Sequence, residues 1–289
     1  IFIPTYLSAV CALPKHIKPK IIHLVDATVD SLFNYYSEFS GLTWQNRLEA
    51  SYLGRKAFKR SDLLIASSDW CKQNAIKQYH INPQKISVIE FGANIDPAYI
   101  PAQPKSLNNK KHLNIYWSGV NWHRKGGDIA VECCEELVNA GYSITLNITG
   151  IKELPKEHEK KTFIKNYGFL SKNDDNQYKE LISIIKKQDI FLFPSKAECS
   201  SIALCEANGF GLPCFAYNTG GTENYIKNGK NGYMLSLNSS GKEFAKKIIE
   251  CIKCNELDTL SFGAVKQYKE KLNWAVWGEK VKQYIESLR

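Results

Sequence analysis

Two acidic residues separated by seven positions, Glu198 and Glu206, bracket a turn from strand to helix in IFLFPSKAECSSIALCEANGFGLPCFAYNTGGTE (190–223). IFLFPS (190–195) is a short apolar run with little alternation, as expected of a strand covered on both faces. Ser200 and Ser201 are N-cap candidates for the helix that follows. That helix, IALCEANGF, is apolar almost all round and therefore reads as buried, with Glu206 the exception. A buried carboxylate is costly unless it is hydrogen-bonded. Its partner is either a ligand's hydroxyl groups or a backbone amide or basic side chain of the protein itself. Upstream, Arg124 and Lys125 precede Gly126 and Gly127, where one strand has ended and a helix is about to begin. Two adjacent cations, with two glycines permitting close backbone approach at a helix N-terminus, suit a diphosphate. A solvated pair of loop charges is the alternative.

Four segments in order carry a family resemblance: WSGVNWHRKGGDIAVE (117–132), NYGFL (166–170), the glutamate segment, and NTGGTENYI (218–226). They resemble, in turn, the glycine-to-lysine loop, the base-binding strand end, the paired-glutamate signature and the glycine turn of the family 4 (group 1) retaining glycosyltransferases. Residues 62–96 resemble the end of that family's N-terminal domain, so the likeness covers nearly the whole chain. It implies a GT-B fold: α/β, with two Rossmann-like domains facing a cleft. It also implies sugar transfer from a nucleoside diphosphate sugar to a hydroxyl acceptor, a glycan or lipid-linked glycan, without a metal or other cofactor.

The resemblance assigns roles residue by residue. Gly119, Arg124 and Lys125 belong to the diphosphate loop; many relatives carry arginine directly after the first glycine, where this chain has Val120. Gly168, Phe169 and Leu170 frame the base, although a Phe at a strand end is commonly core. Glu206 accepts from the ribose diol and Glu198 from the donor sugar, a carboxylate offering two acceptor oxygens. The amides from Cys199 through Ser200 and Ser201 to Ile202 open a helix and can hold sugar or phosphate oxygens. Gly220 and Gly221 turn beside the same cleft. Catalytic roles fall to Glu198, Arg124, Lys125 and Asp26. Asp26 ends the strand IIHLVDA (21–27), where it belongs either to the catalytic pocket or, with Thr28 and Asp30, to the cap of the next helix. His23 reads as a satisfied interior histidine. Asp174 and Asp175 begin a helix, where acids are favoured, rather than forming a metal-binding pair.

The elements that must position these residues alternate strand and helix throughout, the pattern of parallel sheets. Strands are expected at 1–4, 21–27, 62–67 and 86–91, then at 113–119, 142–150, 162–169, 189–195, 213–218 and 231–236. A mostly helical, aromatic-rich stretch lies between Asp30 and Arg60. The domains read as 1–98, a proline-containing linker at 99–112, a nucleotide-sugar-binding domain at 113–270, and a helix at 271–289 crossing back to the first domain. The chain starts inside a mid-domain strand with no initiator methionine, so the first domain is expected to lack its opening βα units and much of its acceptor surface. A nucleotide-sugar-binding module inactive in transfer is the second reading.

The 289 residues are enough for two ordinary domains, with the apolar and charged fractions of a globular protein. No apolar run reaches membrane-spanning length and no signal peptide is visible. Nine scattered cysteines, an odd number, favour reduced thiols and a cytoplasmic location. The lone CxxC at Cys251 and Cys254 lies in a helix and reads as packing, and Cys199 as a small loop residue. The net charge of +9 suits anionic partners. Lys15, Lys18, Lys20, Arg55, Lys56, Lys59 and Arg60 make either a solvated basic face or a peripheral membrane contact. No nucleic-acid motif accompanies the charge. A dinucleotide oxidoreductase is disfavoured, because GFGLPC (209–214) follows a helix rather than a strand.

Overall fold

The computed structural model describes residues 1–14 and 16–286. The first half runs β1 (Phe2–Pro4), α1 (Leu7–Ala12), β2 (Ile22–Val25), α2 (Val29–Leu32), α3 (Trp44–Arg60), β3 (Leu63–Ala66), α4 (Asp69–Tyr79) and β4 (Ile86–Val88). The strands form one parallel sheet in that order. β2 and β3 are buried at every position, which is why their sequences do not alternate. Val25, Leu64 and Ala66 meet Phe58 of α3 and Cys71, Ala75 and Tyr79 of α4 on one face. Leu24, Leu63 and Ile65 face the other way.

The second half runs β5 (His112–Ser118), α5 (Gly127–Asn139), β6 (Ser143–Thr149), β7 (Ile164–Asn166), α6 (Asp175–Lys186), β8 (Ile190–Phe193), α7 (Ile202–Gly209), β9 (Cys214–Tyr217), β10 (Gly232–Leu235), α8 (Gly241–Lys253), α9 (Leu257–Glu270) and α10 (Trp274–Glu286). Its six parallel strands lie in the order β10-β9-β8-β5-β6-β7. From β5 the chain winds outward through β6 and β7, then returns to β8 and winds the other way. The reversal between β5 and β8 leaves a crevice at their carboxyl ends, where open α/β sheets bind ligands. Local chemistry agrees with the element starts. Asp174 caps α6 by accepting from the amides of Asn176 and Gln177, and Ser240 with Glu243 forms a capping box on α8.

Three features refine the expected organisation. The stretch from Asp30 to Arg60 is mostly helical, as expected, but in separate pieces. α2 spans four residues, a turn carries Tyr35 and Tyr36, and Thr43 then caps α3 through the amide of Asn46. The proline-containing passage is not a free tether. Ile95 and Ile100 are buried with Phe191, Phe193 and Leu204, and Leu107 joins the core beneath α5, so the passage lies along the second domain. Its few apolar side chains, spaced among polar ones, are enough to anchor it. Finally, α10 crosses back to the first domain, as expected: Val281, with Trp277 and Tyr284 beside it, meets Ile22, Leu24, Leu63 and Ile65. Lys15 and the last three residues lie outside the described residues.

Candidate active site

The loops after β5 and β8 meet at the crevice and carry the charges. Lys125 Nζ lies 2.5 Å from Glu198 Oε1, which also accepts from Ser195 Oγ at 2.5 Å. Arg124 stands 3.8 Å from the same oxygen and donates to the carbonyl of Ala197 at 3.2 Å. Lys125 also sits over the Phe193 ring, 4.7 Å from its centroid, and its carbonyl accepts from the Trp117 indole. Burial lowers the Lys125 pKa, opposed by Glu198. The two loops are stitched directly: the amide of Lys196 donates to the carbonyl of Arg124 at 2.9 Å. Gly126 and Gly127 serve this seam rather than offering their backbone to a ligand. Gly126 has φ +70°, and a Cβ there would overlap the carbonyl of Pro194, while one on Gly127 would overlap Trp122.

A second group reaches the same loop from the first domain. The amide of Glu198 donates to Tyr35 Oη at 2.9 Å, and Tyr35 Oη hydrogen-bonds with Thr219 Oγ1 at 2.8 Å. The amide of Cys199 donates to Tyr36 Oη at 3.3 Å, and the Arg124 guanidinium lies 5.3 Å from the Tyr36 ring centre. The glycine turn completes the wall. The Gly221 amide donates to the carbonyl of Glu198 at 2.9 Å, and Cβ atoms on Gly220 and Gly221 would overlap the carbonyls of Glu198 and Cys199. Ser68 donates to that Cys199 carbonyl at 3.2 Å. The Lys125 ammonium and the amides of Glu198 and Cys199 thus all find partners within the chain.

Beside this seam, a cavity of about 150 Å³ opens over the ends of β5, β6 and β7. Ser118, Val120 and Thr149 form one side, Phe169 and Leu170 the other, and Glu206 closes it. Gly119 lies between two of these lining residues; a Cβ there would press on Lys125 and the Trp117 ring. Gly168, with φ +76°, turns the chain so that Phe169 stands 54% exposed at the rim rather than in the core. Glu206 does find a polar partner in its own chain: Lys172 Nζ lies 2.5 Å from Oε1.

Several expectations are corrected. Ser201 takes the N-cap position of α7, but its hydroxyl makes no capping bond and is buried without a partner, while Ser200 precedes the helix. The Ile202 side chain packs towards the core between α10 and the first sheet, away from the charged loop. His23 is fully buried, with Nδ1 3.4 Å from Ser61 Oγ and Nε2 unpartnered, so it is not satisfied. Burial lowers its pKa to about 4. The capping alternative for this segment holds at Thr28, whose side chain caps α2 by accepting from the Ser31 amide. Burial raises the Asp26 pKa, opposed by the nearby backbone amides of Asp26 and Ala27. Asp26 lies within electrostatic reach of Cys199 and Tyr225. Burial pushes the Cys199 thiol up to about 12, which leaves it unreactive. Cys251 is buried and Cys254 exposed, both as free thiols. Sequence reasoning missed Tyr35, Tyr36, Ser195, Thr219 and Lys172; the only signal was a pair of tyrosines in an aromatic-rich stretch.

The model of the glycosyl transferases group 1 family matches residues 101–260, the domain that carries Arg124, Lys125, Glu198 and Glu206. The chain belongs to this family. It is 28% identical over 200 residues to UDP-Gal:alpha-D-GlcNAc-diphosphoundecaprenol alpha-1,3-galactosyltransferase of Escherichia coli, covering 63% of this chain and 49% of that protein. It is 26% identical over 280 residues to Protein CapJ of Staphylococcus aureus, covering 93% of this chain and 63% of that one. The chain thus spans about half to two thirds of the length of these relatives. Its fold is GT-B. The HepE protein of Anabaena, solved in complex with UDP and glucose, superposes with a TM-score of 0.64 at 15% identity, over 93% of this chain and 72% of that one.

Proposed function

We propose that this chain serves a retaining glycosyltransferase of family 4, which moves a sugar from a nucleoside diphosphate sugar to a hydroxyl of a glycan or lipid-linked glycan. The observation that carries the reading is the convergence of Lys125, Arg124 and Glu198 at the β5/β8 reversal, beside a cavity closed by Glu206 and rimmed by Phe169. In this reading the diphosphate takes Lys125 and Arg124 from Glu198, whose carboxylate turns to the donor sugar. The ribose diol replaces Lys172 on Glu206, and the base lies against Phe169 and Leu170. As the glycosidic bond breaks, negative charge grows on the leaving diphosphate, where two fixed cations stabilise it. The acceptor oxygen attacks from the face the diphosphate leaves, and the departing phosphate takes its proton. Asp26 orients the acceptor hydroxyl, and no metal takes part. The UDP in the names of one relative and one solved neighbour supports uridine as the first base to test.

The test is titration with UDP, GDP and ADP, followed by thermal melts with the matching sugar nucleotides. One nucleotide is expected to bind and raise the melting temperature, and transfer activity is then assayed with that donor. Binding without transfer by the full-length protein favours the inactive module; no binding by any of the three overturns the donor site.

The reading includes a cytoplasmic, membrane-apposed first domain. Trp44, Leu48 and Tyr52 are 67%, 61% and 66% exposed at successive turns of α3, followed by Arg55, Lys56 and Lys59. An apolar stripe running into cations is the chemistry that recognises an anionic bilayer. Among the described residues no helix is long and apolar enough to cross a membrane. Sedimentation with phosphatidylcholine vesicles, with and without phosphatidylglycerol, decides the point. Binding that needs the anionic lipid and is lost in Leu48→Glu supports the contact, and equal sedimentation with both lipids removes it.

A further inference from the structure

Gly220, which rests on the Glu198 carbonyl, also walls a separate cavity of about 420 Å³ between the two domains. Asp69, Trp70 and Gln73 of α4 line it from the first domain, and Glu223 and Lys227 from the segment after the glycine turn. The first domain's share is fixed in place. The Asp69 amide donates to Asn224 Oδ1 at 2.9 Å, and Asn224 Nδ2 donates back to Asp69 Oδ2 at 3.0 Å. Trp70 is half-buried, its ring lying against Tyr35 with centroids 5.3 Å apart. The groups facing the cavity are different. The Trp70 indole N–H, the Gln73 amide, the Glu223 carboxylate and the Lys227 ammonium have no hydrogen-bond or ion-pair partner among the described residues.

We propose that this cavity is a subsite for a pyranose of the acceptor. An aromatic surface ringed by carboxylate and amide groups matches a sugar, whose C–H face packs on the ring while its hydroxyls bond the rim. Two carboxylates beside one lysine repel a bare phosphate, and the polar rim does not suit an acyl chain. The Tyr35 contact with both Trp70 and the Glu198 amide ties the subsite to the loop that holds the donor sugar. This assignment rests on the transferase reading for its role, but not for the binding itself.

The experiment is saturation-transfer NMR with the methyl glycosides of glucose, galactose and N-acetylglucosamine. It is run on the chain with UDP present, so that a donor pocket is filled. At least one glycoside is expected to receive saturation, and the double variant Gln73→Ala/Glu223→Gln is expected to weaken its binding at least about fivefold. Both substituted side chains are exposed, so folding is retained, and a melting curve checks this. Saturation of none of the three glycosides, or equal binding by the variant, overturns the subsite. UDP binding is measured separately by calorimetry. Its absence with glycoside binding intact removes the donor reading and leaves the subsite standing, whereas UDP binding with no glycoside effect does the reverse.

Discussion

At the scale of single residues, burial decides what each charge can do. Lys125 is held by a carboxylate, a ring face and a tightly packed loop, so its ammonium is prepositioned and its pKa already lowered by desolvation. Lys125→Ala is expected to lower turnover at least about tenfold in an intact enzyme, measured as kcat at saturating donor. Wild-type turnover would remove its assignment to the diphosphate. His23 gives a stability prediction of defined sign. Its folded pKa of about 4 lies below the ordinary 6.5, so the folded state refuses a proton that the unfolded chain accepts. Stability therefore falls as pH drops from 6.5 towards 4, by roughly 3 kcal/mol for this group. Asp26, raised by burial, contributes with the opposite sign, so the comparison is between variants. Denaturant titrations at pH 7 and 4.5 should show a smaller loss for His23→Leu than for the native chain; equal losses would refute the assignment.

At the scale of elements, the turns do more than the strands to shape the site. Gly220 has φ +51° and no room for a side chain between the Glu198 carbonyl and the Tyr35 hydroxyl. Gly141, at the end of α5, also has a left-handed φ of +86° but faces open space. Alanine at Gly141 should cost only about 1 kcal/mol of backbone strain. Alanine at Gly220 should cost at least about 2 kcal/mol more, because the Glu198 loop must move as well. Donor affinity should fall only in the Gly220 variant, and chemical denaturation together with nucleotide titration separates the two effects. The inner strands were legible because both sheets are parallel and their inner strands are covered on both faces, leaving unbroken apolar runs such as LLIA and IFLF. The segment from Asp30 to Gly41 was not. Its short helices are held by the capping of Thr28 and by contacts with the other domain, not by any period in its sequence.

At the scale of the whole molecule, the two domains are joined through a buried polar hub. Glu90, 6% exposed, accepts from Lys271 Nζ at 2.7 Å and from Asn224 Nδ2 at 2.9 Å, and Lys271 also donates to the carbonyl of Asn224. The hub links the end of the first domain, the segment after the glycine turn and the crossing to α10. Lys271→Ala leaves the Glu90 carboxylate buried without its cation and is expected to cost about 3 kcal/mol. It should also loosen the coupling between domains, so that one calorimetric transition separates into two. An unchanged melting profile would show that the hub contributes no coupling. α10 was expected to cross back to the first domain, but which of its side chains meet the first sheet is decided by the apolar face left uncovered there.

The sequence by itself determined the alternation of strands and helices, the charged loop at Arg124 and Lys125, and the paired glutamates, because these depend on local composition and spacing. The family resemblance, not the spacing, assigned Phe169 to the base and Glu206 to the ribose of one donor site. Only the tertiary structure decided which side chains satisfy those charges. Glu198 on Lys125, Tyr35 and Tyr36 on the amides after β8, and Lys172 on Glu206 are pairings between distant positions. So is the division of glycine roles, with Gly126 and Gly127 packing against the chain's own loop and ring. A long-range hydrogen bond leaves no periodic trace in the chain that makes it; it exists only once two packed layers have brought its donor and acceptor within about 3 Å.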